Sequence, residues 1–468
     1  IREAIPHVQG RAMAAFAATC FHVATAANAA DAELPGEPMF SLASRADPGL
    51  VIDLSLKRAN AGAAYRDNFD AKKIYGGYWD AMGCYSYAPG DGYFKRSSTA
   101  ARLSSGEIAC TNQWSGNLLN WAVSSSLDGV RLALTGGDRV IDEPGRTVLQ
   151  RAVLPEDFHR SAHFPDKAII GNLNRLTPLV TGARGGMRAT DSLHFSSCLD
   201  RFVVGPAAAG TCAAPGGTPY IARVEVCAAA EAAIRPGLCA RYPAGNSKPV
   251  GAIQRHAGRM KFSVFGYLPD DDPARYGGVL RAPMKHVGPR KIDTAFDMVD
   301  NPQAEWHAAT GVFKADTAEG PGVVNAINRF GRNGVRQGAY SVFDPAGELY
   351  YESLRYLQGK APTPQAVAGS DSPRSHGDPI AVSCQRNDVL VIGDADTHYD
   401  RSLPGMSRGD SIGDFDRGFN IAAHEPDTAH WTGLVGAFEN REALAYAHPS
   451  GKAGLTTRGN EGPRAFNY

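Results

Sequence analysis

Residues 383–405 read SCQRNDVLVIGDADTHYDRSLPG, and this stretch combines an apolar strand with an acidic strand end. The run 388–393, DVLVIG, is rich in β-branched residues and stops at a glycine, which is typical of a core strand. Asp394, Asp396 and His398 follow it at once. The stretch therefore predicts either a metal or catalytic site at the mouth of a sheet, or a strand that runs into an acidic loop.

Two other runs predict strands of the same core, LVIDLSL at 50–56 and MKFSVFGYL at 260–268. Helical patterns lie in 114–137, 323–334 and 344–359. Strands and helices interleaved in this way favour an α/β fold over an all-β fold.

The clearest helix is predicted from apolar residues at steps of 4, 4, 3 and 4, which share one helical face. These residues are Leu119, Val123, Leu127, Val130 and Leu134. Ser115 or Asn117 would cap this helix, and Gly136 with Gly137 would end it.

A second helix is predicted in 344–359, DPAGELYYESLRYLQG. Asp344 can cap it, and Pro345 suits the first helical position because that residue needs no hydrogen-bonded N–H. Gly359 would end it.

Two ranges are predicted to be insertions with exposed loops. Residues 75–110 are aromatic and glycine-rich, which favours a compact loop or small hairpin over a helix. Within 180–250, residues 181–220 are loop-like, and YIARVEVC at 220–227 is a predicted strand. Their turn residues favour connections between short elements.

The composition is that of a soluble, folded chain. Of 468 residues, 43% are hydrophobic and 21% are charged, and 48 Lys and Arg balance 48 Asp and Glu. A neutral chain lacks the basic surface that nucleic acid or an anionic membrane would select, so we expect no nucleic-acid partner.

The first 29 residues resemble a secretory signal peptide. Arg2 and Arg11 precede an alanine-rich stretch, and Ala27 and Ala29 flank Asn28 in the manner of a cleavage site. The alternative is an alanine-rich surface helix. No later stretch offers about 18 consecutive apolar residues, so we expect no membrane-spanning segment after the signal.

The cysteines indicate an exported protein with disulfides rather than a zinc ribbon, because the sequence has no C-x-x-C pair. Neighbours in sequence such as Cys227 and Cys239 could pair, but the sequence leaves the connectivity open. With Cys20 in the leader and Cys384 included, seven cysteines remain, so at least one has no partner within the chain. The disulfide candidates are Cys84, Cys110, Cys198, Cys212, Cys227 and Cys239.

A metal site is predicted where two strands end. Asp53 and Ser55 close the first strand, and Asp394 and Asp396 follow a later one, so hard oxygen ligands could hold Ca²⁺ or Mg²⁺ there. The arrangement resembles the metal-ion-dependent adhesion site of a von Willebrand A domain, whose first strand ends D-x-S-x-S. Lys57 stands where the second serine belongs. A metal-free strand end is the alternative.

An exported serine or metal-dependent hydrolase is the alternative function. The sequence GDSIG at 409–413 fits G-x-S-x-G with Ser411, but its flanks are not the strand and helix that this motif requires. The metal-dependent version would use Asp394 and Asp396.

Several segments together resemble the PilY/PilC-type family of type IV pilus biogenesis factors and tip adhesins. They span roughly 61–405 in the order of the family. They include AGAAYRDNFD (61–70), YWDAMGCYSY (78–87), NQWSGNLLNWAVSSSLDGVRLALTGGDRVID (112–142), TVLQRAVLPEDFH (147–159) and the stretch 383–405.

The resemblance implies a non-enzymatic, exported protein at the outer membrane and the pilus tip. It would promote pilus extension against retraction and attach cells to surfaces or hosts. Its partners would be minor pilins, the pilus machinery and a host or surface receptor. The family's N-terminal region includes von Willebrand A-like members and its C-terminal region is a β-propeller. We therefore expect a signal peptide at 1–29, a von Willebrand A-like (Rossmann-type) α/β domain with insertions at 30–468, and no propeller within this chain.

Overall fold

The structure is a computed structural model of the chain. It describes residues 47–160, 162–181, 186–209, 217–267, 278–293, 297–316, 322–332, 337–363, 366, 377–383, 385–393, 397, 400, 403 and 434.

The strands of the described residues are short. In chain order they are β1 Gly49–Leu54, β2 Gly83–Ala88, β3 Tyr93–Thr99, β4 Ala101–Arg102, β5 Ile108–Ala109, β6 Trp114–Ser115, β7 Arg139–Glu143, β8 Arg146–Gln150, β9 Lys167–Ile170, β10 Ser192–Cys198, β11 Arg201–Gly205, β12 Thr218–Ile221, β13 Arg223–Val226, β14 Cys239–Arg241, β15 Ser247–Pro249, β16 Lys261–Gly266, β17 Val279–Lys285, β18 Arg290–Ile292, β19 Met298–Asp300 and β20 Asn387–Ile392.

The α-helices are fewer. They are α1 Gly116–Val123, α2 Ser126–Thr135, α3 Ala229–Ala232, α4 Ala252–His256, α5 Val323–Arg329 and α6 Ala346–Leu357, and the 3₁₀ helices are Arg58–Ala61, Glu156–Arg160 and Leu173–Arg175.

A four-stranded sheet, in the order β17-β16-β1-β20, forms the centre of the fold. β1 runs parallel to both β16 and β20, while β17 is antiparallel at one edge. Parallel strands need crossover connections, and helices cover both faces of this sheet. The three strands predicted from 50–56, 260–268 and 388–393 are confirmed as neighbours in one mixed α/β fold.

Alternate residues of β1 build two separate cores, as the period of a strand requires. Ile52 and Leu54 belong to the larger apolar cluster that includes α5. Val51 faces the other way and packs with Leu349 and Tyr356 of α6. The central sheet is therefore the middle of three layers.

β20 is less buried than expected for a core strand. Leu390 and Val391 are 39% and 45% exposed. Within the described residues β20 pairs only with β1, so one edge of the strand lies open there.

The chain leaves the central sheet after β1 and returns to it at β16. In this range α2 packs into the apolar cluster of the central sheet through Leu127 and Leu134. Other elements of the range form a second body. It contains a six-stranded sheet, β6-β2-β3-β13-β8-β7, and a four-stranded antiparallel sheet, β12-β11-β10-β9. An aromatic core lies among these elements. Its buried members include Tyr78, Trp79, Tyr85, Phe94, Trp114, Trp121 and Phe202.

Residues 75–110 contain the small hairpin that we considered, but most of their aromatic side chains are buried, and they differ in this from the exposed loops that we expected. They form the hairpin of β2 and β3 and supply much of the aromatic core, because aromatic side chains bury more apolar area than any others. The segment 220–227 also differs from the expected single strand. It divides at Ala222 into β12 and β13, which belong to different sheets.

The helix expected across 119–134 is two helices. Ser115 caps α1 as predicted, and its side chain accepts a hydrogen bond from Leu118 N. Ser125 then starts α2 through a capping box with Asp128, whose Oδ2 accepts from Ser125 N and whose Oδ1 accepts from Ala152 N at 2.7 Å. The capping box starts a new helix at Ser125 instead of continuing α1. The apolar spacing nevertheless continues across the break between the two helices. Gly136 ends α2 with φ 80°, a left-handed conformation that suits glycine.

Two buried asparagines of α1 hold the aromatic segment against the helix. Asn120 accepts from Trp79 N at 3.1 Å and donates to the carbonyls of Tyr75 and Trp79 at 2.8 Å. Asn117 accepts from Tyr75 N and donates to Lys73 O, both at 2.8 Å. Buried polar groups need such partners, so this segment gets its backbone hydrogen bonds from side chains rather than from a strand.

Two disulfides join described cysteines, Cys84–Cys110 and Cys227–Cys239. Cys198 is also disulfide-bonded. Cys212 and Cys384 lie outside the described residues. No helix among the described residues is long and apolar enough to span a membrane.

We predict that Cys84→Ser with Cys110→Ser destabilises the chain by about 3 kcal/mol, because the bridge closes a loop with a sequence separation of 26. Urea unfolding without reductant measures this loss. The bridge Cys227–Cys239, with a separation of 12, is the matched control, and its removal should cost slightly less. Unchanged stability of the Cys84/Cys110 variant would contradict the prediction.

Candidate functional site

A buried polar cluster lies where β1 and β16 end and α6 begins. The carboxyl ends of parallel strands are where α/β sheets gather ligands. Ser55 directly follows β1, Tyr267 directly follows β16, and Asp344 precedes α6. All three are buried. We call Ser55, Lys57, Tyr267 and Asp344 the strand-end cluster.

Asp344 is the acceptor at the centre of the strand-end cluster. Ser55 Oγ donates to its Oδ1 at 2.5 Å, and Tyr267 Oη donates to the same oxygen at 2.7 Å. Tyr267 Oη also lies 3.1 Å from Ser55 Oγ. Burial, and then the charge of Asp344, raise the pKa of Tyr267 well above its usual value, so its hydroxyl remains a donor.

Lys57 supplies the positive charge of the cluster. Its Nζ lies 3.3 Å from Asp344 Oδ2, and the two side chains are 7% and 0% exposed. The backbone brings them together, because Lys57 forms a parallel bridge with Ser341 and Arg58 N donates to Ser341 O at 2.7 Å. A buried carboxylate requires a compensating charge, and Lys57 provides it.

Asp53 lies on the same face of β1, two residues before Ser55. It is fully buried, and neither of its carboxyl oxygens accepts a hydrogen bond in the structure. Burial raises the pKa of Asp53 to about 7, and the nearby Ser353 hydroxyl of α6 opposes this shift. In the structure that hydroxyl donates to Tyr350 O at 2.7 Å.

Gly393 closes the site from the side of β20. A Cβ at this position would lie 2.6 Å from Ser55 Oγ and 2.7 Å from Ser55 Cβ, far inside van der Waals contact. The glycine before the predicted acidic strand end is therefore required by the close approach of Ser55.

The expected metal site is only partly described. Asp53 and Ser55 lie on one face of β1, whereas Asp394 and Asp396 are outside the described residues. Among the residues the structure describes, no group of three or more His, Cys, Asp or Glu side chains could hold a metal. Both Asp53 oxygens and Asp344 Oδ2 accept no hydrogen bond. The described donors still do not fit a divalent cation, because Ser55 and Tyr267 are bonded to Asp344 and the Lys57 ammonium lies 3.3 Å from its Oδ2.

Asp344 does not cap α6, contrary to the sequence expectation, because its carboxylate is used by the strand-end cluster. Asp400 takes that place from a distant part of the chain and accepts from Glu348 N at 3.0 Å. A carboxyl group there complements the N-terminal end of the helix dipole. Burial, and then the nearby charge of Glu348, raise the pKa of Asp400 well above its usual value.

Glu352 is a second buried acid on α6. Thr363 N lies 3.3 and 3.4 Å from its two carboxyl oxygens, and the side chain is buried. Burial raises the pKa of Glu352 to about 7, against an ordinary value of 4.5.

Ser192, His194 and Asp166 form a hydrogen-bonded row that sequence analysis missed. Ser192 Oγ lies 3.3 Å from His194 Nε2, and His194 Nδ1 lies 2.8 Å from Asp166 Oδ2. Ser192 and His194 are two apart on β10, so they share one face, and Ser196 on that face also donates to Asp166. The alternation of polar residues in SLHFSS was the available signal.

The serine that we considered from sequence, Ser411, lies outside the described residues. So does the predicted signal peptide at 1–29. Among the described residues, the hydrolase hypothesis therefore depends on the row formed by Ser192, His194 and Asp166.

We predict that Glu352→Gln gains stability over the wild type as the pH rises. The folded pKa of Glu352 is raised, so its contribution to stability is fully present below about pH 4.5 and is lost as the pH rises through about 7. The difference should grow by about 3 kcal/mol across that window and then level off. Urea unfolding of both proteins at several pH values measures it, and a constant difference would contradict the expected titration.

Sequence comparisons place the chain among known proteins. Residues 66–203 match a family described as "PilY1 homolog, small alpha/beta domain". This range holds α1, α2 and most of the aromatic core. No solved structure matches the chain.

Two similar proteins of Xylella fastidiosa (strain Temecula1 / ATCC 700964) are each named "Type IV pilus biogenesis factor PilY1 homolog". One is 32% identical over 409 residues, which is 76% of this chain and 33% of that protein. The other is 25% identical over 410 residues, 71% of this chain and 26% of that protein.

The chain thus spans about a third or less of the length of these relatives. The similarity extends well beyond the small domain, since it covers about three quarters of the present sequence. The chain belongs to the PilY1 family of type IV pilus biogenesis factors.

Proposed function

We propose that the protein containing this chain promotes the assembly of type IV pili at their tip and attaches cells to surfaces or host receptors. The observation that carries this proposal is the 32% identity to a named type IV pilus biogenesis factor over 76% of the chain. Minor pilins and the pilus machinery are the proposed partners.

Export to the cell surface is the proposed route. The two disulfides between described cysteines support it, because disulfides persist in oxidising compartments such as the periplasm. The proposed leader is 1–29, and the proposed destination is the outer membrane and the pilus tip.

A von Willebrand A-like core is the proposed identity of the central sheet. Its support is the order β17-β16-β1-β20, with three parallel strands and an antiparallel edge strand between helical layers. The residues between β1 and β16 are then the insertion. The proposed organisation is one α/β domain over 30–468, with the family's β-propeller in another part of the protein.

No catalytic step is part of this proposal. A binding and assembly role requires rigid surfaces rather than a reacting group. The buried hydrogen bonds of Asn117 and Asn120 support such rigidity, because satisfied polar networks fix one arrangement of a core.

We expect deletion of the gene to reduce surface pili, twitching and attachment, because the protein would oppose retraction. Counting pili by electron microscopy and measuring twitching zones tests this, with the wild-type gene restored as the control. Deleting the retraction motor as well should restore pili but not attachment. Unchanged twitching and attachment in the single deletion would contradict the proposed function.

Hydrolysis is the second candidate function, and the Ser192, His194 and Asp166 row is the observation in its favour. A triad needs this order of hydrogen bonds. However, Ser192 lies within a strand, paired with Ile170, rather than on the sharp turn that exposes a nucleophile. We therefore expect no labelling of the chain by a fluorophosphonate probe. Labelling that disappears in Ser192→Ala would instead establish the hydrolase.

A further inference from the structure

We propose that the ammonium group of Lys57 is the built-in cation of the strand-end cluster, so that this site is closed without a bound divalent metal. This inference goes beyond the pilus function and does not depend on it. The spacing of Asp53 and Ser55 is that of a metal site, whereas the charge two residues after Ser55 is the ammonium group of Lys57. This difference is the basis of the proposal.

The spacing brings three side chains to one place. Asp53, Ser55 and Lys57 are separated by two residues each, and an extended chain directs such residues to the same side. A third oxygen-bearing side chain at position 57 would complete a set of hard ligands, whereas Lys57 places a positive charge there.

Two hydroxyl donors and one ammonium group surround Asp344, although its Oδ2 accepts no hydrogen bond. Asp344 Oδ1 accepts from Ser55 and Tyr267, and Oδ2 lies 3.3 Å from the Lys57 ammonium. A divalent cation would have to approach these oxygens to about 2.0–2.6 Å, and it would displace the hydroxyl donors.

The charges point the same way. Lys57 and Asp344 are both nearly inaccessible to water, so their attraction is weakly screened and the ammonium cannot simply leave. A divalent ion beside Asp344 would also face the ammonium at short range. The cost of burying Asp344 is offset by one tethered charge instead of a bound ion.

Asp53, which lies beside the cluster, makes a test possible. Both oxygens of Asp53 are buried and accept no hydrogen bond in the structure. If Lys57 becomes a serine, the site gains a hydroxyl oxygen and loses the competing charge. Asp344 then loses the ammonium group that lies beside it.

The experiment compares the full chain with its Lys57→Ser and Lys57→Arg variants. Melting temperatures are measured in EDTA and in excess Mg²⁺, Mn²⁺ or Ca²⁺, and Mn²⁺ binding is measured by titration calorimetry. We expect wild type and Lys57→Arg to show no cation-dependent shift. Lys57→Ser should melt at a lower temperature in EDTA and gain roughly 3 °C or more with a cation, since a ligand of the native state stabilises it.

A second variant shows where the cation binds. Adding Asp344→Asn to Lys57→Ser should abolish the gain, because the central carboxylate is then missing. The Mn²⁺ titration of the wild type decides the question even if Lys57→Ser does not fold. Stoichiometric binding to the wild type that Asp344→Asn removes would overturn the proposal, as would a folded Lys57→Ser protein that responds to none of the three cations.

Discussion

The buried charge of Asp344 joins the three layers of the central fold. Its carboxylate takes hydrogen bonds from the residues that end β1 and β16, and it lies directly before α6. Lys57 compensates the charge from the chain that leaves β1 for the inserted body. Because a buried carboxylate is stable only with such partners, the strand ends, the helix start and the exit of the chain are fixed relative to one another.

The inserted body is held by the same kind of constraint. Arg131 of α2 donates to the carbonyls of Ile327 and Phe330 at the end of α5, and Arg151 donates to Leu199 O and Arg201 O. Arg139 donates to Pro249 O and Gly311 O, and stacks over the Phe313 ring. Buried guanidinium groups with several acceptors bind segments that are far apart in sequence. The two bodies are therefore linked by charged side chains as well as by apolar packing.

Sequence patterns predicted the apolar strands and helix periods well, because these depend on residues close together in the chain. The strands at 50–56, 260–268 and 388–393 and the helices after 322 and 345 were confirmed. The break between α1 and α2 was missed because the apolar period continues through Ser125, whose cap depends on local hydrogen bonds. The prediction that Asp344 caps α6 was wrong, because its partners Tyr267 and Ser55 are 77 and 289 residues away in the sequence. No local pattern encodes such contacts. The sequence showed that Lys57 replaces the second serine of D-x-S-x-S, but it did not show that Asp344 is its partner.

The strand-end cluster matters for the response of the chain to divalent ions. A cluster that carries its own cation would keep its geometry whatever the calcium or magnesium concentration around the protein. The most direct test is a crystal structure of the chain grown in Mn²⁺, with anomalous scattering used to locate the metal. The account predicts Lys57 Nζ in contact with Asp344 and no anomalous peak at the strand end. A peak bound to Ser55 and Asp344, with the Lys57 side chain turned away, would contradict it.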